Sequence, residues 1–332
     1  MIIKTNFPFF VYNVSMRILS VGSTVIDLFL TPDITPPSTD EVTLKLGQKI
    51  PTDFNSTSVG GNAANVAVVL KRLGQDSQLY TYLAKDFLSR EIEKGLEKEG
   101  IEPVVEKIKG KSDFSLVLTI GNERVIFSHH DKCPHGFNYT RITPDIIYLN
   151  SIGHEWESAY KKVLEYVLEK NIQLALSPGS HQLNDLSSTL YETLEKTTIF
   201  FSNVEEAKKI VNKKFSNTND TADLFSKLHS LGPKIVSITD GDKGSYASDG
   251  KKIFKLGVVQ DKYIEKTGAG DTYSASFLAW YTETKDIKEA MRAGALNASA
   301  VMKKIGAHEG ILTKKELNKD LDERKDFVPQ PI

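Results

Sequence analysis

Apolar residues in this chain keep two rhythms. Short unbroken runs, such as Ile18-Leu19-Ser20-Val21, are compact enough for strands covered on both faces. Elsewhere apolar residues recur every three or four positions. Ala63, Val66, Ala67, Leu70 and Leu73 predict a helix opened by Gly60-Gly61 and stopped by Gly74. The spacing then predicts a strand over 78–83, a helix over 86–99, and β-rich segments at 114–120 and 124–128 joined by Gly121-Asn122, a hairpin signal. From 145 onward the rhythms alternate. Strands over 145–150, 172–176, 198–202 and 234–239 are each followed or preceded by a helix, over 155–170, 183–196, 204–211 and 219–230. A small hairpin over 244–256, helices near 270–284 and 286–304, and a charged C-terminal segment complete the chain.

Alternating strand and helix implies a parallel sheet with helices on both faces. Two stretches break the alternation. Residues 31–40, rich in Pro, Thr and Asp, read as loop, and 41–58 as short exposed strands; 111–130 is the second stretch. Together they could build a small β-flap over a site, or remain surface hairpins.

The chain has 332 residues, 40% apolar and 26% charged, with a formal net charge of −1. Nothing here marks a nucleic-acid binder or an acidic tail. The single cysteine, Cys133, excludes an internal disulfide and a multi-cysteine metal site, and fits a cytoplasmic protein. No apolar run reaches the length needed to span a bilayer. Residues 1–15 precede the natural start of the first strand at Met16-Arg17-Ile18 and read as an extension; their apolar core is short for a signal peptide.

The most informative stretch is 264–277. Gly268, Ala269 and Gly270 run into Asp271 and then into an apolar helical pattern. Bare amides at the positive end of a helix can hold a phosphoryl group, and a carboxylate beside them can take a proton from an attacking hydroxyl. The plainer reading is that Asp271 only caps the helix. Three other groups bear on the choice. Thr239-Asp240-Gly241-Asp242-Lys243-Gly244 follows a strand, where α/β folds bind ligands. Asn203 could cap the helix after 198–202, and Glu206 could hold a magnesium-bound water. Asp27, Gly60, Gly61 and Asn65 offer the donors and acceptors that suit a polyol. A P-loop and a Gly-x-Ser-x-Gly elbow are both absent, and the histidines lack metal spacing.

Taken in order, Gly60-Gly61-Asn62-Ala63-Ala64-Asn65, Asn203-x-x-Glu206, Thr239-x-Gly241-x-x-Gly244 and Thr267-Gly268-Ala269-Gly270-Asp271-Thr272 resemble the PfkB family of carbohydrate and nucleoside kinases, over about Met16 to Gly310. The resemblance implies a ribokinase-like three-layer α/β/α fold, with a mostly parallel central sheet and a small β-lid from about 31–58 and 111–130. It implies a kinase domain over 16–312, followed by the charged segment 313–332. MgATP would be the phosphoryl donor and a sugar or sugar-acid hydroxyl the acceptor. A nucleoside kinase of the same fold and a non-catalytic sugar or nucleotide sensor are the alternatives. Asp271 matches the catalytic base and Gly268 to Gly270 the anion hole. Asn203 matches the phosphate network and Glu206 the magnesium site; Thr239, Gly241 and Gly244 match the nucleotide loop, and Asn297 the adenine contact. Asp27, Gly60, Gly61 and Asn65 match the acceptor's hydroxyl-binding positions.

Glu265-Lys266 replaces the family's Asp-Thr, which argues against a potassium site; Ser177-Pro178-Gly179 stands where many members carry an Asp. Phe114, Phe127 and Phe137 are candidates for a nucleobase pocket, and His129, His130 and Asp131 for reaching the acceptor. Exposed lid edges could pair two chains into a homodimer.

Overall fold

The computed structural model describes residues 15–35, 41–121, 123–215, 218 and 220–332. In chain order it contains β1 (Arg17–Val21), β2 (Val25–Pro32), β3 (Thr52–Gly60), α1 (Asn62–Arg72), β4 (Asp76–Leu83), α2 (Phe87–Lys98), β5 (Val104–Lys107), β6 (Phe114–Ile120), β7 (Glu123–His129), β8 (Ile146–Leu149), α3 (Glu157–Lys170), β9 (Gln173–Leu176), α4 (Ser180–Asp185), α5 (Ser188–Glu195), β10 (Ile199–Asn203), α6 (Val204–Lys214), α7 (Thr221–Ser230), β11 (Ile235–Thr239), β12 (Ser245–Ser248), β13 (Ile253–Leu256), α8 (Ala269–Thr284), α9 (Ile287–Val301), α10 (Lys314–Glu323) and β14 (Gln330–Pro331).

The main sheet has ten strands in the order β14-β13-β12-β11-β10-β9-β8-β1-β4-β5. The seven from β11 to β5 run parallel, and β12, β13 and β14 add an antiparallel edge. Side chains alternate between two cores, as the two-residue period of a strand requires. Ile146 and Tyr148 of β8 pack with α1, α8 and α9, whereas Ile147 and Leu149 pack with α3, α5 and α6. This is why the parallel strands read as unbroken apolar runs: each face meets a helical layer.

The second sheet, in the order β3-β2-β6-β7, is the lid. Its β6–β7 hairpin was expected from the sequence, although Asn122 of the turn lies outside the described residues. Residues 1–14, 36–40 and 219, which touch the expected N-terminal extension, loop and helix, lie outside them too.

Several expectations need correction. The lid begins at Val25, not near 31, because β2 follows β1 after a single turn at Gly22 and pairs with both β3 and β6. Residues 41–51 form no strand; β3 starts at Thr52. The short β5 was not anticipated. The helix expected over 183–196 is two helices, parted where Leu186 adopts a left-handed conformation (φ 43°). The charged C-terminal segment folds onto the body. Leu317 and Leu321 of α10 are buried, and the Arg292 guanidinium donates to the carbonyls of Leu321, Arg324 and Phe327.

Candidate active site

The parallel strands end on one side of the sheet, and a cavity of about 490 Å³ opens there under the lid. Its wall includes Ser23, Val25, Gly61 and Asn62 from the first third of the chain, and Ser128 and His130 from the end of the lid. Further on it takes in Ser177 to His181, Asn203, Glu206, Thr239, Gly270 and Asp271.

Asp271 lies in the first turn of the 16-residue α8, where the helix dipole favours negative charge. Asn62 Nδ2 donates to its Oδ1 at 2.8 Å and Asn65 Nδ2 to its Oδ2 at 2.7 Å. Both asparagines come from the first turn of α1, so the two helices meet end to end at one carboxylate. Burial raises the Asp271 pKa above its ordinary value, and the two amide donors oppose that shift without cancelling it. The structure therefore brings Asp271 and Asn65 together and adds Asn62, which had been quoted only as part of a motif. His308 was missed altogether. Its Nε2 lies 3.0 Å from Asn65 Oδ1, and burial pushes its pKa down to about 4. A neutral imidazole donating there fixes which end of the Asn65 amide faces Asp271. No sequence pattern links residues 243 positions apart.

The glycines before Asp271 divide in their roles. Gly268 caps α8 in the left-handed region (φ 74°), and a Cβ there would press on Ala307 at 2.9 Å. Gly270 borders the cavity, and a Cβ there would meet nothing within 4 Å. Helix geometry leaves the amides of Gly270 and Asp271 without an intrahelical carbonyl. Ala269 N donates to Lys266 O at 3.3 Å. The cradle is thus narrower than 268–270, and lies toward Gly270 and Asp271.

Asn203 and Glu206 form a reciprocal capping box on α6: Glu206 N donates to Asn203 Oδ1 at 2.9 Å, and Asn203 N to Glu206 Oε2 at 3.0 Å. Both still face the cavity. Glu206 has a raised pKa, chiefly from burial and further from the charge on Asp271. Among the described residues no cluster of three or more histidine, cysteine or acidic side chains could hold a metal ion. Magnesium needs few protein ligands because it keeps most of its water. A carboxylate destabilised by burial, bordering a polar cavity, fits such an ion.

Thr239 ends β11 on the cavity wall, whereas Gly241 and Gly244 shape the turn beyond it and do not line the cavity. Asn297 is a correction. It is fully buried, its Nδ2 donates to Ser276 Oγ at 2.8 Å, and its Oδ1 accepts from Leu312 N at 2.9 Å. With both ends of its amide engaged in the interior, it joins α9 to α8 and to the chain leading into α10.

Asp27, Gly60 and Gly61 meet where the lid leaves the body. A Cβ on Gly60 would overlap the Asp27 carboxylate, and one on Gly61 (φ 90°) would lie 2.6 Å from Ser23 O. Asp27 is buried, and loss of water lifts its pKa to about 6; a Ser115 hydrogen bond opposes the shift. Gly61 lines the cavity, whereas Asp27 sits behind that wall.

Of the lid candidates, only His130 reaches the cavity wall. Its Nδ1 lies 2.7 Å from Asp113 Oδ2, which raises its pKa, and its ring meets that of His181 edge-on. His129 stacks on Phe114, and Asp131 accepts from Lys111 N. Phe127 is exposed on the lid and Phe137 is buried against Tyr80, so the three phenylalanines build no pocket around the site. Ser177 had drawn notice only as part of Ser177-Pro178-Gly179, a departure from the family's Asp, and Ser180 and His181 were missed.

Residues 16–314 match the model of the pfkB family of carbohydrate kinases. Ribokinase of Bacillus subtilis is 25% identical over 310 residues, covering 91% of this chain and 98% of that protein. The structure is similar to that of a Methanocaldococcus jannaschii nucleoside kinase of the ribokinase family (TM-score 0.74, 23% identity, covering 93% of this chain and 99% of the other). It is also similar to that of an E. coli protein solved with ATP and Mg2+ (TM-score 0.74, 14% identity, covering 93% and 100%).

Proposed function

The chain belongs to the pfkB family of carbohydrate kinases and is a phosphotransferase with an alcohol group as acceptor, and we propose that it moves the γ-phosphoryl group of ATP to a hydroxyl of a sugar or sugar acid. The observation that carries this reading is the Asp271 carboxylate, held by Asn62 and Asn65 on the wall of a polar cavity at the positive end of α8. In this reading Asp271 accepts the proton of the acceptor hydroxyl. Its raised pKa makes its ionised form a stronger base than an exposed aspartate. The first-turn amides at Gly270 and Asp271 face the charge that builds on the transferring group.

Glu206 would hold Mg2+ through water, with Asn203 alongside on the phosphate side; the ion, when bound, neutralises charge on the donor phosphates. ATP and Mg2+ are supported by the similarity to the E. coli protein solved with both. Thr239 faces the donor. Gly61, Asn62 and the imidazole of His130 face the acceptor, with Asn65 and Asp27 behind them. Potassium has no place in this reading, since Glu265 is already engaged by the Arg124 guanidinium at 2.7 Å.

A sugar is favoured over a nucleoside because eight serines and two imidazoles line the cavity; Phe201 and Tyr273 also border it, but Phe114, Phe127 and Phe137 all lie off it. The same reading places the protein in the cytoplasm, where ATP is supplied. Two chains would pair through the lid's outer face, where Phe54, Val125 and Phe127 are exposed around Leu30 and Leu118; light scattering reads that directly.

The test is an ADP-release screen over pentoses, hexoses, sugar acids and nucleosides with magnesium present. A sugar or sugar acid should give the strongest turnover. A nucleoside as the best acceptor would overturn the substrate assignment. Sugar binding without ADP release from any acceptor would favour a sensor.

A further inference from the structure

Outside the reacting groups, one ion pair ties the lid to the loop that frames the anion cradle. Arg124 is the second residue of β7, on the lid, and Glu265 lies in the loop before α8, 141 positions later. Arg124 Nη1 donates to Glu265 Oε1 at 2.7 Å, with the side chains 31% and 14% exposed. The same carboxylate gathers the surrounding backbone. Its Oε1 accepts from Thr267 N at 3.1 Å and from the Thr267 hydroxyl; its Oε2 accepts from Gly306 N at 2.9 Å. Thr267 leads directly into Gly268, and Gly306 into Ala307, the residue against which Gly268 packs. One half-buried carboxylate therefore sets both strands of chain that hold the start of α8. Left without its cation, it would be a largely buried charge held only by the donors on Thr267 and Gly306. Asp27 lies close enough for its charge to be felt with those of Glu265 and Arg124, so the cluster extends to the acceptor side as well.

We infer that Arg124 is a positioning residue for phosphoryl transfer: its guanidinium, delivered by the lid, holds Glu265 in the one orientation that fixes Thr267, Gly306 and hence, through Gly268, the cradle at Gly270 and Asp271. A lid seated over the acceptor and an ordered cradle are then one state. The device rests on the reading of that cradle as the anion hole. It predicts a signature that general destabilisation lacks. Loss of Arg124 acts on turnover and leaves the nucleotide-side residues Asn203, Glu206 and Thr239 in place. Glu265 carries the whole effect, so the two losses do not multiply.

The experiment uses the full chain as wild type, Arg124→Gln, Arg124→Lys, Glu265→Gln and the Arg124→Gln/Glu265→Gln pair, measured by steady-state ADP release and amide hydrogen exchange. Arg124→Gln should lower kcat about tenfold with KM for ATP within about twofold, as expected for misplaced transition-state contacts. Arg124→Lys should recover part of the loss, since a point charge replaces the fork. The double variant should be no slower than the slower single. The amides of Thr267 and Gly306 should exchange faster in Arg124→Gln and Glu265→Gln, while those of β10 and β11 keep their protection. A kcat within about twofold of wild type in Arg124→Gln, multiplying losses in the double variant, or unchanged exchange at Thr267 and Gly306 would each overturn the inference. Faster exchange at Thr267 and Gly306 in the variants, together with a wild-type protein that turns over no acceptor, would uphold the coupling and sink the kinase reading instead. If Arg124→Gln fails to fold, the Arg124→Lys and Glu265→Gln proteins carry the same comparison.

Discussion

Replacing Asp271 by Asn tests the proposed base with little disturbance of shape. In the wild type each carboxylate oxygen accepts one amide hydrogen bond, from Asn62 and from Asn65. The new side chain keeps one oxygen. Asn65 cannot turn its amide round without losing its contact with His308, so that oxygen must face Asn65. The new amide nitrogen then faces Asn62, which is exposed and free to flip its own amide to meet it. The hydrogen bonds are thus conserved in number and only the charge is lost. Burial raises the Asp271 pKa, so its stabilising contribution is full below the ordinary carboxylate range and is lost as pH rises through the raised value. Above that raised value the ionised group costs stability, and there the Asn variant should melt no lower than wild type. Turnover should fall about 10²–10⁴-fold, equivalent to about 3–5 kcal/mol of barrier, the range for a lost general base. ADP release with the best acceptor, nucleotide titration and a thermal melt give the three readouts. Turnover within about tenfold of wild type would refute the base assignment. A loss matched by lower nucleotide affinity and a lower melting temperature would assign Asp271 to structure instead.

Asp27 should give a pH signature of its own. Its buried carboxylate ionises near pH 6, so KM for the acceptor should fall as pH rises through about 6 if the charged form helps hold the acceptor's hydroxyls. Stability should run the other way, declining as pH rises from 3.8 through about 6; both trends should vanish in Asp27→Asn, as initial rates and thermal melts between pH 4 and 8 (roughly the carboxylate-to-neutral window) can check. Asn297→Ala should cost about 2–4 kcal/mol in chemical denaturation, since it strands the Leu312 amide and the Ser276 hydroxyl in the interior, while KM for ATP stays within about twofold. A large rise in KM for ATP with unchanged stability would return Asn297 to the nucleotide site.

Much of the architecture was legible because its physics is local. Buried parallel strands must be apolar on both faces, and Ile18-Leu19-Ser20-Val21 says so in four letters. A helix start that leaves room beside its amides needs small residues, and Gly268-Ala269-Gly270 supplies them before Asp271. β2 was illegible for the converse reason. No element is expected over residues 25–30 from the sequence, and β3 and β6 pair with β2 from 20 or more residues away. The break at Leu186 was hidden because no Gly or Pro marks it; the left-handed residue follows Asp185, which the Trp156 indole N–H holds at 2.7 Å.

Periodicity alone implied a parallel sheet with helices on both faces, and four short motifs in order pointed to the family that the match over residues 16–314 shows, since these depend on neighbours along the chain. Folding decided who faces whom. It turned Asn297 inward, pointed the Asn65 amide at Asp271 through His308, and set the Arg124 cation of the lid against Glu265. Those partners stand between 15 and 243 residues apart. Hydrogen bonds and charges act through space over a few ångströms, so a one-dimensional order of residues carries no record of them.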